Sequence, residues 1–432
     1  MLKLAFYLGL TGLGALATFW DPLYGAVACV LAYLFNPAAI AMDTEGFRFQ
    51  LWITIAFLTS VLLHRPKPTG AEAPSGHVLA GMWIFVALCS ASAAWAVVSS
   101  QNALADSYEM FKRALLTALM CRLVRSEREI VWLIWACLIG IFHASVLHIV
   151  GGRLGWIPLS ESREYGVLPI GQTSVLILFV PMLAILGTMG RGKERLASWC
   201  ILPFVLDSIV NTFQRMGFVV LAAEALLLAI YLPRRIVLRV APIAAVLGCL
   251  FGIRFMPPEY RNWVATIQRP HEEGSANSRF VIDRASIQMF LDYPFGVGYR
   301  NYLVVSPRYL PPEFLDQGKR SAHNSYFAVL CELGVQGLLA FLWTFGGAIV
   351  LMRRVRKASD RAEPGRLGLY ALGIEVGLCG WLTGGLFHDL HNVDPAYWFV
   401  GFAVAIMRLA SVEPESEEMA REPTDHLSPQ PA

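Results

Sequence analysis

Long apolar runs separated by short polar connections follow one another along almost the whole chain. Each run is roughly 20 residues long, which is the length that a helix needs to cross a bilayer. The strands of a membrane barrel would instead alternate apolar and polar residues. The pattern therefore predicts an all-α, polytopic bundle of about 12–13 transmembrane helices. The candidate spans lie near residues 2–19, 22–40, 49–63, 78–98, 107–124, 129–150, 168–189, 196–213, 216–232, 236–256, 326–352, 367–387 and 395–410.

Basic residues are concentrated in every second connection. One set of connections holds roughly 17 Lys and Arg, whereas the alternate short connections hold roughly 6. Because short cytoplasmic loops are enriched in Lys and Arg, we expect the first set to face the cytoplasm. These connections lie near residues 64–67, 122–128, 191–195, 234–239 and 353–366.

This orientation places the one long connection, residues 257–325, on the outer side of the membrane. A loop of that length is usually functional or disordered. Here Ser278 is followed by a run, Arg279–Leu291, whose apolar residues have a spacing that suits a surface helix. We expect a small helical cap that carries catalytic residues, between an N-terminal bundle (1–256) and C-terminal transmembrane helices (326–411). The tail, residues 412–432, is rich in Glu, Pro and Ser and is expected to be disordered in the cytoplasm.

Composition agrees with a membrane protein and narrows the chemistry. Hydrophobic residues make up 56% of the 432 residues and charged residues 16%, with a mean hydropathy of +0.52. The net charge of +3 is too small to indicate a nucleic-acid partner. All eight cysteines lie in or beside apolar segments without a CxxC pair, which argues against a disulfide framework or zinc site. We expect no cofactor.

No metal site is expected either. The sequence lacks an Asp-x-Asp pair, so a magnesium-held nucleotide sugar is poorly supported. A polar group near a predicted outer turn contains His388, Asp389, His391 and Asp394. Such a group can bind a metal, but a short interfacial turn collects polar residues anyway.

Arginines on the outer side are candidates for binding phosphate. Arg suits bidentate contacts with phosphate oxygens. Arg215 lies in a turn so short that it must be at the membrane surface, where an ionisable group is a functional candidate. The alternatives are contacts with bulk anionic lipid or with carboxylates, such as Asp207 for Arg215. The further candidates for contacts with a diphosphate or glycan are Arg261, Arg279, Arg284, Arg300, Lys112, Arg113 and Asn324.

His323 stands at the junction of the long loop and the span that follows it. With an ordinary pKa of about 6.5, a histidine can accept a proton from an attacking hydroxyl near neutral pH. A structural role as a cap or interface residue is the alternative. Glu224 and Glu375 lie inside predicted spans, and the sequence does not decide between packing and function for them.

Several short motifs in order resemble the O-antigen ligase and polymerase superfamily. They are Ser275–Arg279, Asp292–Gly298, Ala322–Phe327 and Glu332–Gly334. The opening hairpin with Asn36 and Pro37 is similar to the O-glycosylation ligases that accompany exosortase systems. The strong part of the resemblance covers roughly residues 205–345.

The resemblance implies an all-helical glycosyltransferase of the C class that uses an undecaprenyl-diphosphate-linked glycan and no metal. By position, Arg215 matches the arginine of the family's Ser-Arg-Gly turn, Arg279 the loop arginine and His323 the loop histidine. The chain departs from the family pattern next to both arginines. Gln214 and Met216 flank Arg215, and Asp283 occupies a position that is often aromatic.

We therefore expect inverting transfer of a glycan to an acceptor hydroxyl on the periplasmic face of a bacterial inner membrane. The acceptor, whether lipid A core, a growing polysaccharide or a protein Ser or Thr, is not readable from the sequence. The alternatives are a polysaccharide polymerase, a lipid-linked glycan transporter or flippase, and a non-catalytic scaffold. Transporters tend to have internal repeats and polar sites at the membrane midplane, whereas these candidates gather at one face.

Overall fold

The computed structural model describes residues 2–35, 48–64, 75–152, 172–212, 214–242, 274–315, 320–359 and 364–421. Within these ranges the chain is almost entirely helical and contains no strand, which confirms the all-α prediction. The helices are α1 (Leu2–Ala17), α2 (Pro22–Phe35), α3 (Phe49–His64), α4 (Gly76–Ala91), α5 (Ser100–Leu123), α6 (Glu127–Gly152), α7 (Gln172–Met189), α8 (Gly192–Asn211), α9 (Arg215–Tyr231), α10 (Gly274–Asp292), α11 (Ser325–Ala358), α12 (Arg366–Gly384) and α13 (Asp394–Arg421).

Four segments are long and apolar enough to cross a membrane by length and composition, and shorter apolar helices accompany them. The four lie at Gly76–Ala94, Glu127–Ile149, Ser325–Ala358 and Arg366–Gly384. The chain is thus a multi-pass membrane protein. A helix occupies each predicted span except the tenth, 236–256, of which the structure describes only the helical residues 236–242.

Helix α12 lies at the centre of the bundle. It packs against α7, α9, α11 and α13, and 83% of its spanning window is buried. A Cβ atom on Gly377 would lie 2.4 Å from the backbone oxygen of Leu178, so a glycine is needed where α12 meets α7. Small residues that allow close backbone approach are typical of packed membrane helices.

Ion pairs join three of the five basic connections at one end of the bundle, and a fourth connection begins just after a helix end that contacts them. Arg366 pairs with Glu194 and with Glu127, and the Arg356 guanidinium lies 4.1 Å from the centroid of the Tyr231 ring. We call this the basic end. The opposite end, which carries residues 274–315 and 320–325, is the loop end.

Helix α10 covers part of the loop end, in agreement with the predicted cap helix. Its buried positions among the described side chains are Ile282, Ala285, Ser286 and Met289, which share one helical face. The sequence suggested a wider apolar face, but Phe280 and Leu291 point outward and are 75% and 69% exposed. A helix has only one side against the bundle, so apolar residues around its circumference cannot all be buried.

The last helix also extends further than the sequence suggested. Helix α13 continues to Arg421, so residues 412–421 are helical, whereas the sequence placed the start of a disordered tail at residue 412. Residues 422–432 lie outside the described ranges.

Helix α11 contains a break near the loop end. Gly334 has φ 71° and ψ −170°, which is not helical, and divides the 34-residue helix into a short outer part and a longer inner part. The backbone at the break is paired with the outer segment: the Val297 N–H donates to the Cys331 carbonyl at 2.8 Å, and the Gly298 N–H donates to the Glu332 carbonyl at 3.0 Å. The break therefore anchors the cap to the bundle.

Candidate functional site

His323 precedes the first turn of α11 in an unusual backbone conformation. Its φ is 48°, in the left-handed region that residues other than glycine rarely adopt. Asn324 then caps the helix, because its side-chain oxygen accepts the backbone N–H groups of Tyr326 (3.0 Å) and Phe327 (3.2 Å). Strained residues of this kind are common at functional sites.

The conformation of His323 is supported by Asp389, which lies in the turn after α12. The two carboxylate oxygens of Asp389 accept the backbone N–H groups of His323 (3.3 Å) and Asn324 (3.2 Å). Next to them, the Ser325 N–H donates to the Gly385 carbonyl at 2.7 Å. These bonds hold the start of α11 against residues 385–390, so the imidazole stands on a rigid support.

His388 brings a second imidazole to the same place. The ring centroids of His323 and His388 are 6.0 Å apart, with the planes close to perpendicular. The Nδ1 atom of His388 accepts the Asp389 backbone N–H at 2.8 Å, so neutral His388 must carry its proton on Nε2. In that tautomer His388 is a donor with no lone pair left for an incoming proton.

The surroundings of His323 favour its neutral form. Burial lowers the pKa of His323, the negative charge of Asp389 raises it, and the positive charges of Arg279 and Arg320 lower it. Burial also lowers the pKa of His388, while the charge of Asp389 raises it and the charge of Arg279 lowers it. Both imidazoles are therefore expected to be uncharged near neutral pH, and His323 is the one free to accept a proton.

Arg279 is the cation that both histidines share. It lies on the exposed side of the cap helix α10, and its charge acts on His323 and on His388. It also opposes the burial that raises the pKa of Asp283. The structure thus brings two of the predicted catalytic residues, Arg279 and His323, into one electrostatic site.

Arg215, the third predicted catalytic residue, begins α9 at the same end of the bundle. The next residue, Met216, packs at the end of α12, where its sulfur would lie 3.3 Å from a Cβ atom placed on Gly384. Gly384 immediately precedes the segment that supports His323. The Arg215 side chain is partly buried at this end.

The remaining predicted ligand-binding residues differ in their surroundings. Arg284 is exposed on α10. Three other cations pair with carboxylates: Arg300 with Asp106 at 3.2 Å, Arg113 with Asp394 at 3.2 Å and Lys112 with Glu109 at 2.7 Å. Arg261 lies outside the described residues.

Asp389 and His388 are the site residues that sequence reasoning did not assign to the reaction. It noted them only as part of a polar turn that was weighed as a metal site. The signal in the sequence is their position at a predicted outer turn. Because α11 and α12 are consecutive spans that run in opposite directions, the start of α11, with His323, and the end of α12 lie at the same end of the bundle. The structure adds the hydrogen bonds that give Asp389 its role.

A family model described as O-antigen ligase matches residues 196–342, which are 147 of the 432 residues. This match supports the predicted resemblance to the O-antigen ligase and polymerase superfamily over that segment. The matched segment contains Arg215, Arg279 and His323 but ends before His388 and Asp389. A search of curated proteins found no match. The match supports a membrane function of the ligase or polymerase type, of the general kind that transfers glycosyl groups.

Proposed function

We propose that the chain transfers a glycan from undecaprenyl diphosphate to an acceptor hydroxyl on the periplasmic side of a bacterial inner membrane. The observation that carries the proposal is the combination of Arg279, a phosphate-binding type of residue, with the half-buried imidazole of His323, whose lowered pKa favours the neutral form, within the family-matched segment. Transfer from a lipid diphosphate needs both functions: a base for the acceptor and positive charge for the leaving group.

His323 is the proposed general base. With Nδ1–H donated to Ser321 Oγ, 3.4 Å away, the Nε2 lone pair can take the proton of the acceptor hydroxyl. The acceptor oxygen then bonds to the anomeric carbon as the bond from that carbon to the phosphate oxygen breaks. The electron pair leaves with the diphosphate, and attack from the opposite side inverts the anomeric configuration.

Arg215 and Arg279 are the proposed ligands of the diphosphate. A guanidinium that is fixed near the leaving oxygen stabilises the negative charge that develops there. Arg284, Arg300, Arg261, Lys112, Arg113 and Asn324 remain proposed contacts with the donor or glycan. No metal takes part in this proposal, because the guanidinium groups supply the positive charge.

The proposal is tested by transfer assays with the full-length protein reconstituted in liposomes. The donor is a glycan linked to undecaprenyl diphosphate, and lipid A core, oligosaccharide and Ser/Thr peptide are offered separately as acceptors. We expect glycan on one acceptor and an equal amount of released undecaprenyl diphosphate by mass spectrometry, with or without EDTA. Donor that crosses the bilayer intact without any product would contradict the proposal and favour a flippase.

Asp389 is proposed to orient His323, and its charge gives a pH test. Asp389→Asn keeps a side-chain oxygen that can accept one N–H but removes the negative charge that raises the pKa of His323. The base is active when neutral, so transfer is lost as the pH falls through this pKa. We expect the acid limb of the kcat/KM profile to move to lower pH, with kcat also reduced by roughly 10-fold from looser orientation.

The converse change is Arg320→Gln, which removes a positive charge that lowers the pKa of His323. Its acid limb should move to higher pH. The groups that act on His323 from the surrounding elements are Asp389, Arg279 and Arg320. If both variants moved the limb in the same direction, or neither moved it, His323 would not be the group that titrates.

A further inference from the structure

Two adjoining cavities open at the basic end, far from the site at the loop end. Their volumes are about 580 Å³ and 420 Å³, and both are lined by Met189 and Pro364. The first lies beside the start of α8, and the second beside the end of α9. Since they share a wall, they form one trough across the ends of α7, α9 and α12.

The floor of the trough is apolar. Leu369 and Ile236 line the first cavity, and Leu232 and Leu372 line the second. These residues belong to one hydrophobic cluster at this end of the bundle. The floor can therefore hold part of a hydrocarbon chain.

The rim of the trough is cationic, and part of that charge is not neutralised. Arg366 is paired with Glu194 and Glu127, and Arg356 with Glu375. By contrast, Arg191, Lys193 and Lys357 are exposed and have no carboxylate partner among the residues that the structure describes. Each cavity thus has at least one cation available for an anionic ligand.

We propose that this trough binds an anionic phospholipid, with its phosphate at Arg191 and Lys193 and its acyl chains on the apolar floor. Positive residues near a membrane face are common and by themselves indicate only orientation. A basic cavity between helices that opens onto an apolar floor is, in addition, shaped for a lipid headgroup and its chain. The site is separate from the proposed glycan transfer and does not depend on it.

The test is retention of lipid by the full-length protein. Purified protein in detergent is titrated with dioleoyl phosphatidylglycerol or dioleoyl phosphatidylcholine, and native mass spectrometry counts the bound lipid. We expect preferential binding of phosphatidylglycerol. A basic residue near a membrane surface contributes about fivefold to the binding of anionic lipid, so Arg191→Ala/Lys193→Ala should weaken binding by about 25-fold.

The matched control is Arg122→Ala/Arg128→Ala, which removes the same charge from exposed residues of another connection at the basic end. It should leave phosphatidylglycerol binding within about twofold of the unmodified protein, because neither residue lines the trough. Equal loss in both double variants, or equal binding of the two lipids, would overturn the proposal. Displacement of phosphatidylglycerol by inorganic phosphate at equal concentration would also overturn it, because the site would then recognise phosphate alone.

Discussion

Replacing His323 should lower the rate of glycan transfer by about 10²–10⁴-fold, the usual contribution of a general base. His323→Asn is the variant of choice, because asparagine tolerates the left-handed backbone at φ 48° and cannot accept the acceptor's proton. His323→Ala tests the same loss with a smaller side chain. Single-turnover transfer in liposomes, with saturating donor, separates the chemical step from binding and release.

His388→Asn is the matched control for this prediction. His388 is the neighbouring imidazole, but its Nδ1 is occupied by the Asp389 N–H, and an asparagine oxygen can accept that bond. We expect a rate reduced by less than about 10-fold, because this residue orients Asp389 and does not accept the proton in the proposed reaction. Near-normal transfer by both His323 variants, or a larger loss in His388→Asn, would assign the base elsewhere.

The helices themselves could be predicted well from the sequence. Apolar runs near the thickness of the bilayer have few alternatives to a helix, because backbone groups in lipid must be hydrogen bonded within the segment. The basic connections also predicted which loops share an end, and the pairing of Arg366 with Glu194 and Glu127 agrees. The boundaries were less certain, since α13 continues to Arg421 without the apolar residues that mark a span.

The site could be predicted only in part. The sequence predicts Arg279 and His323 from residue type and resemblance, and in the structure the positive charge of Arg279 lowers the pKa of His323. The role of Asp389 could not be predicted in this way. It lies 66 positions after His323, and its contact depends on how the end of α12 packs beside the start of α11. Hydropathy places both residues at one end but does not determine which helices are neighbours there.

The structure explains why two of the short sequence motifs contain glycines. Gly296, in the outer segment, and Gly334, in α11, face each other across the break in that helix. A Cβ atom on Gly296 would lie 2.4 Å from the Glu332 carbonyl oxygen, and one on Gly334 would lie 2.5 Å from the Pro294 carbonyl oxygen. The two motifs therefore belong to one structural unit, in which the backbones approach too closely for any side chain.

Gly334→Ala should destabilise the protein by roughly 2–6 kcal/mol. About 1–3 kcal/mol comes from a backbone conformation, φ 71° and ψ −170°, that is open essentially only to glycine. A further 1–3 kcal/mol or so comes from forcing a methyl group against the Pro294 carbonyl. The measurement is the thermal unfolding midpoint of the full-length protein in detergent, together with its transfer activity.

Gly346→Ala, in the inner part of the same helix, is the matched control. Its added Cβ would meet nothing within 4 Å, and its backbone is helical, so stability should be unchanged or raised by about 0.5–1 kcal/mol. The break anchors the cap that carries Arg279, so Gly334→Ala should lose transfer activity at temperatures where the control keeps it. Equal unfolding midpoints for the two variants would mean that the break in α11 does not hold the cap in place.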